Sequence, residues 1–161
     1  MKEVTEKEAL LRLTTLCSKA EHCTWEMTEK MRRWGLDEAV QARVVEYLLK
    51  ERYVDDARYA RAFVREKIKT NKWGPRKIEQ ALYAKRIATE IYQPVLAEVD
   101  QEDYLKILRP LLQAKRRQLG GLSEYEQNGR LARFAMSRGF TFDLIRQCLD
   151  VDEDLTDDED D

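Results

Sequence analysis

Residues 53–87 read YVDDARYARAFVREKIKTNKWGPRKIEQALYAKRI, and this stretch sets the architecture. Asp55 and Asp56 stand where carboxylates accept from the free amides of a helix N-terminus and complement its partial positive charge, which predicts a helix over about 57–70. At roughly 100° per residue, Tyr59, Ala60, Phe63 and Val64 share one side of that helix. Arg58, Arg61, Arg65, Lys69 and Lys72 fall within about 80° of one another on the other side. Lys67 lies among the apolar residues and must reach outward along its stem. Arg61/Arg65 and Arg65/Lys69 are like charges one turn apart, a repulsive spacing. A helix shaped for stability alone would alternate signs, so the stripe points to an anionic partner: a phosphate backbone, or an acidic protein surface beside one. A plain solvated face is the alternative. Lys72-Trp73-Gly74-Pro75 then breaks the pattern, and Pro75 suits the first position of a new helix, where its missing N–H costs nothing.

Working outward, the same grammar recurs. Upstream, Thr5-Glu6-Lys7-Glu8 is a capping box opening a helix with Leu10, Leu13, Leu16 and Ala20. Thr24 is expected to cap a second helix with Met27, Met31 and Trp34, ended by Gly35, and Asp37 a third with Val40, Val44, Tyr47 and Leu48. Downstream, Ile78 and Leu82 mark one helix, with a turn at Arg86-Ile87. Thr89 is expected to cap the next, with Ile91, Val95, Leu96 and Val99. Asp100 opens a long helix with Tyr104, Ile107, Leu108 and Leu111, which Pro110 is expected to kink, and Gly120-Gly121 ends it. Ser123-Glu124-Tyr125-Glu126 is another capping box, leading to Leu131, Phe134 and Ala135. Gly139 stops that helix, and Thr141 caps a last one with Leu144, Ile145, Cys148 and Leu149.

Aligned on their turns, these helices repeat. Met31-x4-Leu36, Leu82-x4-Ile87 and Ala135-x4-Phe140 occupy equivalent places. Val40/Ile91/Leu144, Val44/Val95/Cys148 and Val45/Leu96/Leu149 follow at identical offsets, and Val54-Asp55 pairs with Val99-Asp100, Tyr59 with Tyr104. The expected fold is therefore all-α: elongated tandem three-helix repeats with an extra N-terminal helix. The expected boundaries are an N-terminal helix over 1–23, repeats over 24–72 and 73–121, a partial repeat over 122–149 and an acidic disordered tail over 150–161.

The formal charge of −2 averages two unlike regions. Asp150 to Asp161 holds nine acids and no base, so the preceding residues carry 29 bases against 22 acids. That excess is concentrated in Arg58–Arg86, with ten bases against two acids, and in Tyr104–Arg146, with nine against three. Six Gly and three Pro are too few for a barrel or sandwich of many short strands. No apolar run approaches a membrane span, and MKEVTEKEALLRL lacks a secretory h-region, so the expected location is the cytoplasm, with no membrane partner. Cys17, Cys23 and Cys148 are an odd number and are read as reduced thiols.

Catalytic chemistry finds little support. His22 is the single histidine, no nucleophile elbow surrounds a serine, and neither a P-loop nor a G-x-G-x-x-G turn occurs. The chain is read as a non-enzyme without a cofactor. Cys17, His22 and Cys23 invite a zinc reading, but the Cys-x5-Cys spacing is unusual and buried structural thiols fit better. Asp55-Asp56 fits helix capping better than a metal or acid/base pair. Trp73 and Tyr83 could stack on bases, though packing at the Lys72-Trp73-Gly74-Pro75 connection is the simpler role for Trp73. The acidic ending reads as a solubilising spacer, or as an intramolecular polyanion competing with nucleic acid for the basic face.

The stretch Tyr53–Ile87 resembles the most recognisable segment of the bacterial RecX regulatory proteins. Paired aspartates follow an aromatic and an apolar residue, Gly74-Pro75-Arg76-Lys77-Ile78 matches a Gly-Pro-x-x-Ile step, and Lys85-Arg86-Ile87 occupies a Lys-Gly-Ile-like turn. Arg138-Gly139-Phe140 matches a later signature. Arg86 departs from the usual turn glycine, so this turn is expected to be less left-handed or more strained. The resemblance implies a modulator of the RecA recombinase, a monomer that binds along the groove of the RecA–DNA filament and reduces its ATP hydrolysis and strand exchange. With the charge pattern, it suggests Arg58, Arg61, Arg65, Lys69, Lys72, Arg76 and Lys77 as the principal contact face and Arg130, Arg133 and Arg138 as a second. DNA alone should bind weakly and without sequence preference. A sequence-specific helix-turn-helix binder and a purely protein-binding scaffold are the rivals.

Overall fold

Nine helices run through residues 3–151, the part of the chain that the computed structural model describes. They are α1 (Glu6–Lys19), α2 (Thr24–Arg33), α3 (Glu38–Lys50), α4 (Asp56–Lys69), α5 (Pro75–Ala84), α6 (Thr89–Ala97), α7 (Gln101–Arg116), α8 (Glu124–Ser137) and α9 (Phe142–Arg146). Among the described residues there is no strand, and no helix is long and apolar enough to cross a membrane. Most of the acidic ending, residues 152–161, lies outside the described residues.

The helix starts show why the sequence folds this way locally. Thr5, Asp37, Asp55, Asp100, Ser123 and Thr141 each accept, through the side chain, from a backbone N–H in the first turn of the following helix, at 2.9–3.3 Å. Two expected caps are displaced by one residue. α2 is capped at Cys23, whose N–H donates to Glu26 Oε1 at 3.0 Å, and Thr24 is its first helical residue. α6 likewise starts at Thr89, with Tyr92 N–H donating to Ala88 O. Asp56 does not cap α4 alongside Asp55. Its Oδ1 accepts from Thr24 N and Thr24 Oγ1 at 2.8 and 3.1 Å, tying the start of α4 to the start of α2. α6 and α7 continue as single helices through Pro94 and Pro110.

The repeat has a concrete physical basis. Leu36 N donates to Met31 O, Ile87 N to Leu82 O and Phe140 N to Ala135 O, at 3.1–3.3 Å. These are the residue pairs that the sequence places in register, and each closes the Schellman-type end of a helix. The residue before each donating Leu36, Ile87 or Phe140 is left-handed: Gly35 at φ 79°, Arg86 at φ 57° and Gly139 at φ 94°. Arg86 thus adopts the left-handed turn despite its Cβ, a conformation that costs a non-glycine residue about 1 kcal/mol. Arg86→Gly is expected to stabilise the fold by about 0.5–1 kcal/mol, raising Tm by about 1–4 °C in a thermal melt.

Cα proximity divides the chain into two compact units: residues 3–63 with Leu82–Val95, and Val64–Ala81 with residues 96–151. In the first, α1 and α2 contact α3 around Ala9, Leu13, Met27, Met31, Val44, Leu48 and Val54, all at most 2% exposed. In the second, α7, α8 and α9 contact one another around Leu105, Leu108, Leu112, Leu131, Ala135, Phe140, Leu144 and Ile145. Burying each Leu or Met contributes about 1.5–3 kcal/mol, which is what holds short helices that would be marginal alone.

Glu26 fastens the first unit. Its Oε2 accepts from Lys85 Nζ at 3.1 Å, and His22 Nδ1 lies 3.5 Å from Oε1. Burial by itself raises this carboxyl, but the Cys23 amide and the Lys85 ammonium outweigh it and hold Glu26 below its ordinary value of 4.5. A carboxyl more acidic in the folded than in the unfolded chain adds stability above the unfolded value. That stability is lost as pH falls through the folded one. Glu26→Gln is expected to cost about 1–2 kcal/mol at neutral pH and to flatten the Tm profile below about pH 4.5. A melt series against pH reads both.

Candidate nucleic-acid interface

The decisive geometry lies in the second unit, at the break between α4 and α5. Lys72 takes φ 57°, Trp73 N–H reaches back to Lys67 O at 3.0 Å, and the chain then pairs with the end of α8. Gly74 N donates to Arg138 O at 2.8 Å and Arg76 N to Gly139 O at 2.9 Å. The contact is so close that a Cβ on Gly74 would fall onto Phe140 N and Gly139 C, and one on Gly139 onto Lys77 Cβ. The Trp-Gly-Pro step and the Arg-Gly-Phe signature, far apart in sequence, are therefore two halves of one backbone junction.

The junction gathers cations around aromatic rings. Lys67 Nζ and Lys77 Nζ lie 5.1 and 4.9 Å from the centroid of Trp73. Lys115 Nζ and Arg138 Cζ lie 5.1 and 5.5 Å from that of Phe134, and Arg138 Nη1 donates to Asn71 O at 3.4 Å. Such cation–π contacts are worth about 0.5–1 kcal/mol each at exposed sites and leave ammonium hydrogens for an incoming anion. Trp73 is half-buried. It packs at the connection while its ring orders two lysines.

The ten cations suggested by the sequence separate into groups. Arg65, Lys69, Lys72, Arg76 and Arg130 are exposed and Arg133 half-buried. None of these six has a carboxylate partner among the described residues. Lys77 and Arg138 belong to the junction. Arg58 is different: its Nε donates to Glu21 Oε2 at 2.6 Å, and its Nη2 to Arg52 O and Tyr53 O at 3.1 and 3.3 Å. The Glu21 carboxylate raises the Arg58 guanidinium above its ordinary value. Arg58 thus pins the end of α3 to the start of α4, a role its place in the stripe hides. Arg61 is exposed but engaged as well.

Lys67, Lys115 and Phe134 were not singled out for this site by sequence reasoning, although Trp73 and Lys77 at a four-residue spacing are a local signal for part of it. The thiols lie in different surroundings. Cys23 is buried, its Sγ 3.9 Å from Lys85 O, and burial pushes it up to about 11. Cys17 Sγ contacts Met27 Sδ at 3.8 Å, and no group of three metal-ligating side chains occurs among the described residues.

Two sequence profiles match the chain. The one described as RecX, second three-helix domain, covers residues 55–96, and the one described as RecX, third three-helix domain, covers 101–149. The chain belongs to the RecX family. The matched spans cover α4, α5 and nearly all of α6, and then α7–α9, so the family's second and third domains begin at α4 and α7, a phase that a three-helix period alone leaves open. The regulatory protein RecX of Vibrio parahaemolyticus is 27% identical over 151 residues, 94% of either chain. That of Lactobacillus johnsonii is 27% identical over 98% of this chain and 59% of its own. The crystal structure of RecX from Lactobacillus salivarius superposes with a TM-score of 0.82 at 18% identity, covering 89% of this chain and 93% of that one. A second crystal structure, of a regulatory protein RecX, gives 0.82 at 20% identity over 91% and 73%. RecX relatives are named as regulatory proteins, and these structures share the all-helical fold of tandem three-helix domains.

Proposed function

We propose that this chain is a negative modulator of the RecA recombinase, binding along the groove of the RecA–DNA filament and lowering its ATP hydrolysis and strand exchange. The observation that carries the reading is the Gly74–Gly139 junction, which pairs the backbone at Arg76 and Arg138 and sets Lys77 and Arg138 beside aromatic rings. A surface of unpaired cations favours phosphate oxygens, and also carboxylates on a protein wrapped around them. The contact face comprises Arg65, Lys69, Lys72, Arg76 and Lys77, with Arg130, Arg133 and Arg138 beside them on α8 or at its end. Arg58 is left out of it, being held by Glu21, Arg52 O and Tyr53 O within the first unit. The chain acts as a cytoplasmic monomer and non-catalytically: it shifts an equilibrium of the filament and uses no cofactor of its own.

The test is RecA-dependent ATP hydrolysis on single-stranded DNA with the chain titrated in, together with gel shifts at two salt concentrations with and without RecA. The expected result is inhibition, stronger retention on the RecA filament than on bare DNA, and a steep loss of DNA binding with salt at all sequences. Base-dependent affinity without RecA would favour the helix-turn-helix reading instead. Undiminished hydrolysis at saturating protein would overturn the proposal.

A further inference from the structure

The turn between α5 and α6 carries a cleft that the cationic face does not use. Tyr83, Ala84, Arg86, Ile87, Ala88 and Thr89 line an open hollow of about 570 Å³, which falls within the ~300–1,000 Å³ of ordinary ligand sites. All six belong to the first compact unit, as does α2. Tyr83 is 71% exposed, more than any other large apolar side chain among the described residues, and its ring has no aromatic or cationic neighbour there.

Arg86 lines the same cleft in a costly conformation. Gly35 and Gly139 fill the equivalent left-handed position of the other two turns, whereas Arg86 takes φ 57° there with a full side chain. Residues held in such conformations cluster at functional sites. No ion pair within the fold accounts for it: Arg86 and Arg33 are exposed, and neither forms a salt bridge among the described residues. Glu29 on α2 is already taken, since Arg32 Nε and Nη2 donate to its two oxygens at 3.1 and 2.7 Å. Arg32 holds the Glu29 carboxyl below its ordinary value, and the charges of Arg33 and Arg86 add to that pull. The end of α2 and the α5–α6 turn therefore share one positive field. Glu90, one residue beyond the lining, is the nearest acid along the chain.

We propose that this cleft is a stacking site for one unpaired base of a single-stranded nucleic acid, with Tyr83 against the base and Arg86 on the adjoining phosphate. The occupant follows from the chemistry of the walls. An exposed flat ring beside an unpaired guanidinium matches a base joined to a phosphate. A carboxylate alone would leave the ring uncovered, and an apolar side chain would leave the cation unused. Ala84, Ile87 and Ala88 carry no side-chain hydrogen-bonding group with which to read a base edge, so the site accepts any base. A duplex keeps its base faces stacked on one another and gains nothing from the ring. The site thus adds a preference for single strands that a cationic surface by itself lacks, and it stands independently of the reading of that surface.

The experiment uses the full chain, Tyr83→Ala, Tyr83→Phe and Arg86→Gly, each titrated at low salt against fluorescent oligo-dT and against a duplex of the same length. Fluorescence anisotropy is expected to show Tyr83→Ala weakening single-strand binding about tenfold and duplex binding by less than about twofold, with Tyr83→Phe keeping the parent affinity. Arg86→Gly is expected to weaken single-strand binding about threefold and to lower the slope of log affinity against log salt by about 0.7, while its Tm rises. Loss of binding alongside a gain of stability excludes general damage. Single-strand affinity unchanged in Tyr83→Ala overturns the proposal, as do equal losses on both DNAs and a parent chain that binds no single strand. Unchanged DNA binding with weaker retention on RecA filaments would instead assign the cleft to a protein side chain. RecA-dependent ATP hydrolysis on the same samples separates this site from the wider reading. Inhibition by the parent without a Tyr83 effect on DNA removes the cleft alone, and a Tyr83 effect without inhibition by the parent removes the RecA reading alone.

Discussion

Reversing Arg65, Lys72 and Arg76 to glutamate together is expected to abolish inhibition of RecA-dependent ATP hydrolysis and to weaken binding to single-stranded DNA by about 100–1000-fold at low salt. All three side chains are exposed, and none has a carboxylate partner among the described residues. Their charge is therefore available to an outside anion at little desolvation cost. Each reversal removes one attraction and adds one repulsion, and each lost phosphate contact should lower the slope of log affinity against log salt by about 0.7 on a single strand. Tm should move by no more than a few degrees, because surface substitutions away from buried networks usually stay within about 0.5 kcal/mol. Arg58→Gln is the informative contrast, since it leaves Glu21, Arg52 O and Tyr53 O without their donor. It should lower Tm while inhibition, measured below the melt, persists. Full inhibition by the triple variant would remove the proposed face.

That contrast shows where a single sequence is transparent and where it is opaque. Asp55 and Asp100 sit in register across the repeat and both cap helices, because capping is decided within three or four residues. Met31–Leu36, Leu82–Ile87 and Ala135–Phe140 were legible for the same reason: the bond that closes each helix spans five residues. Cys23 took the cap from Thr24 although a thiol is a weak acceptor. There the work is done by Glu26 reaching back to the Cys23 amide, while Asp56, 32 residues away, takes the Thr24 N–H and hydroxyl. Arg58 looked like part of a free stripe because the carboxylate that captures it stands 37 residues upstream. Helical periodicity reports direction from an axis, and it is blind to which distant side chain waits there. The Gly74–Gly139 junction had both its halves visible as motifs, yet nothing local joins them.

Gly74→Ala is the prediction with the largest expected loss of stability. The added Cβ would overlap Phe140 N and the Gly139 carbonyl, which are backbone atoms and cannot rotate aside as a flexible side chain could. The second-unit segment must therefore move away from the end of α8, lengthening or breaking the bonds from Gly74 N to Arg138 O and from Arg76 N to Gly139 O. Overpacking of this kind costs about 1–3 kcal/mol, and two weakened backbone bonds bring the expected total to about 3 kcal/mol. For a chain of this size the midpoint should fall by about 6–12 °C. Function should suffer at temperatures where the variant is still folded, because the junction fixes the spacing between Lys72, Arg76, Lys77 and Arg138. A face whose cations are spread apart neutralises fewer phosphates at once. A thermal melt read beside the ATP hydrolysis assay well below the new midpoint separates the two effects. A variant that melts early but inhibits at full strength when folded would show that the junction serves stability alone. A melt unchanged from the parent would mean that the two segments do not meet as closely as their glycines require.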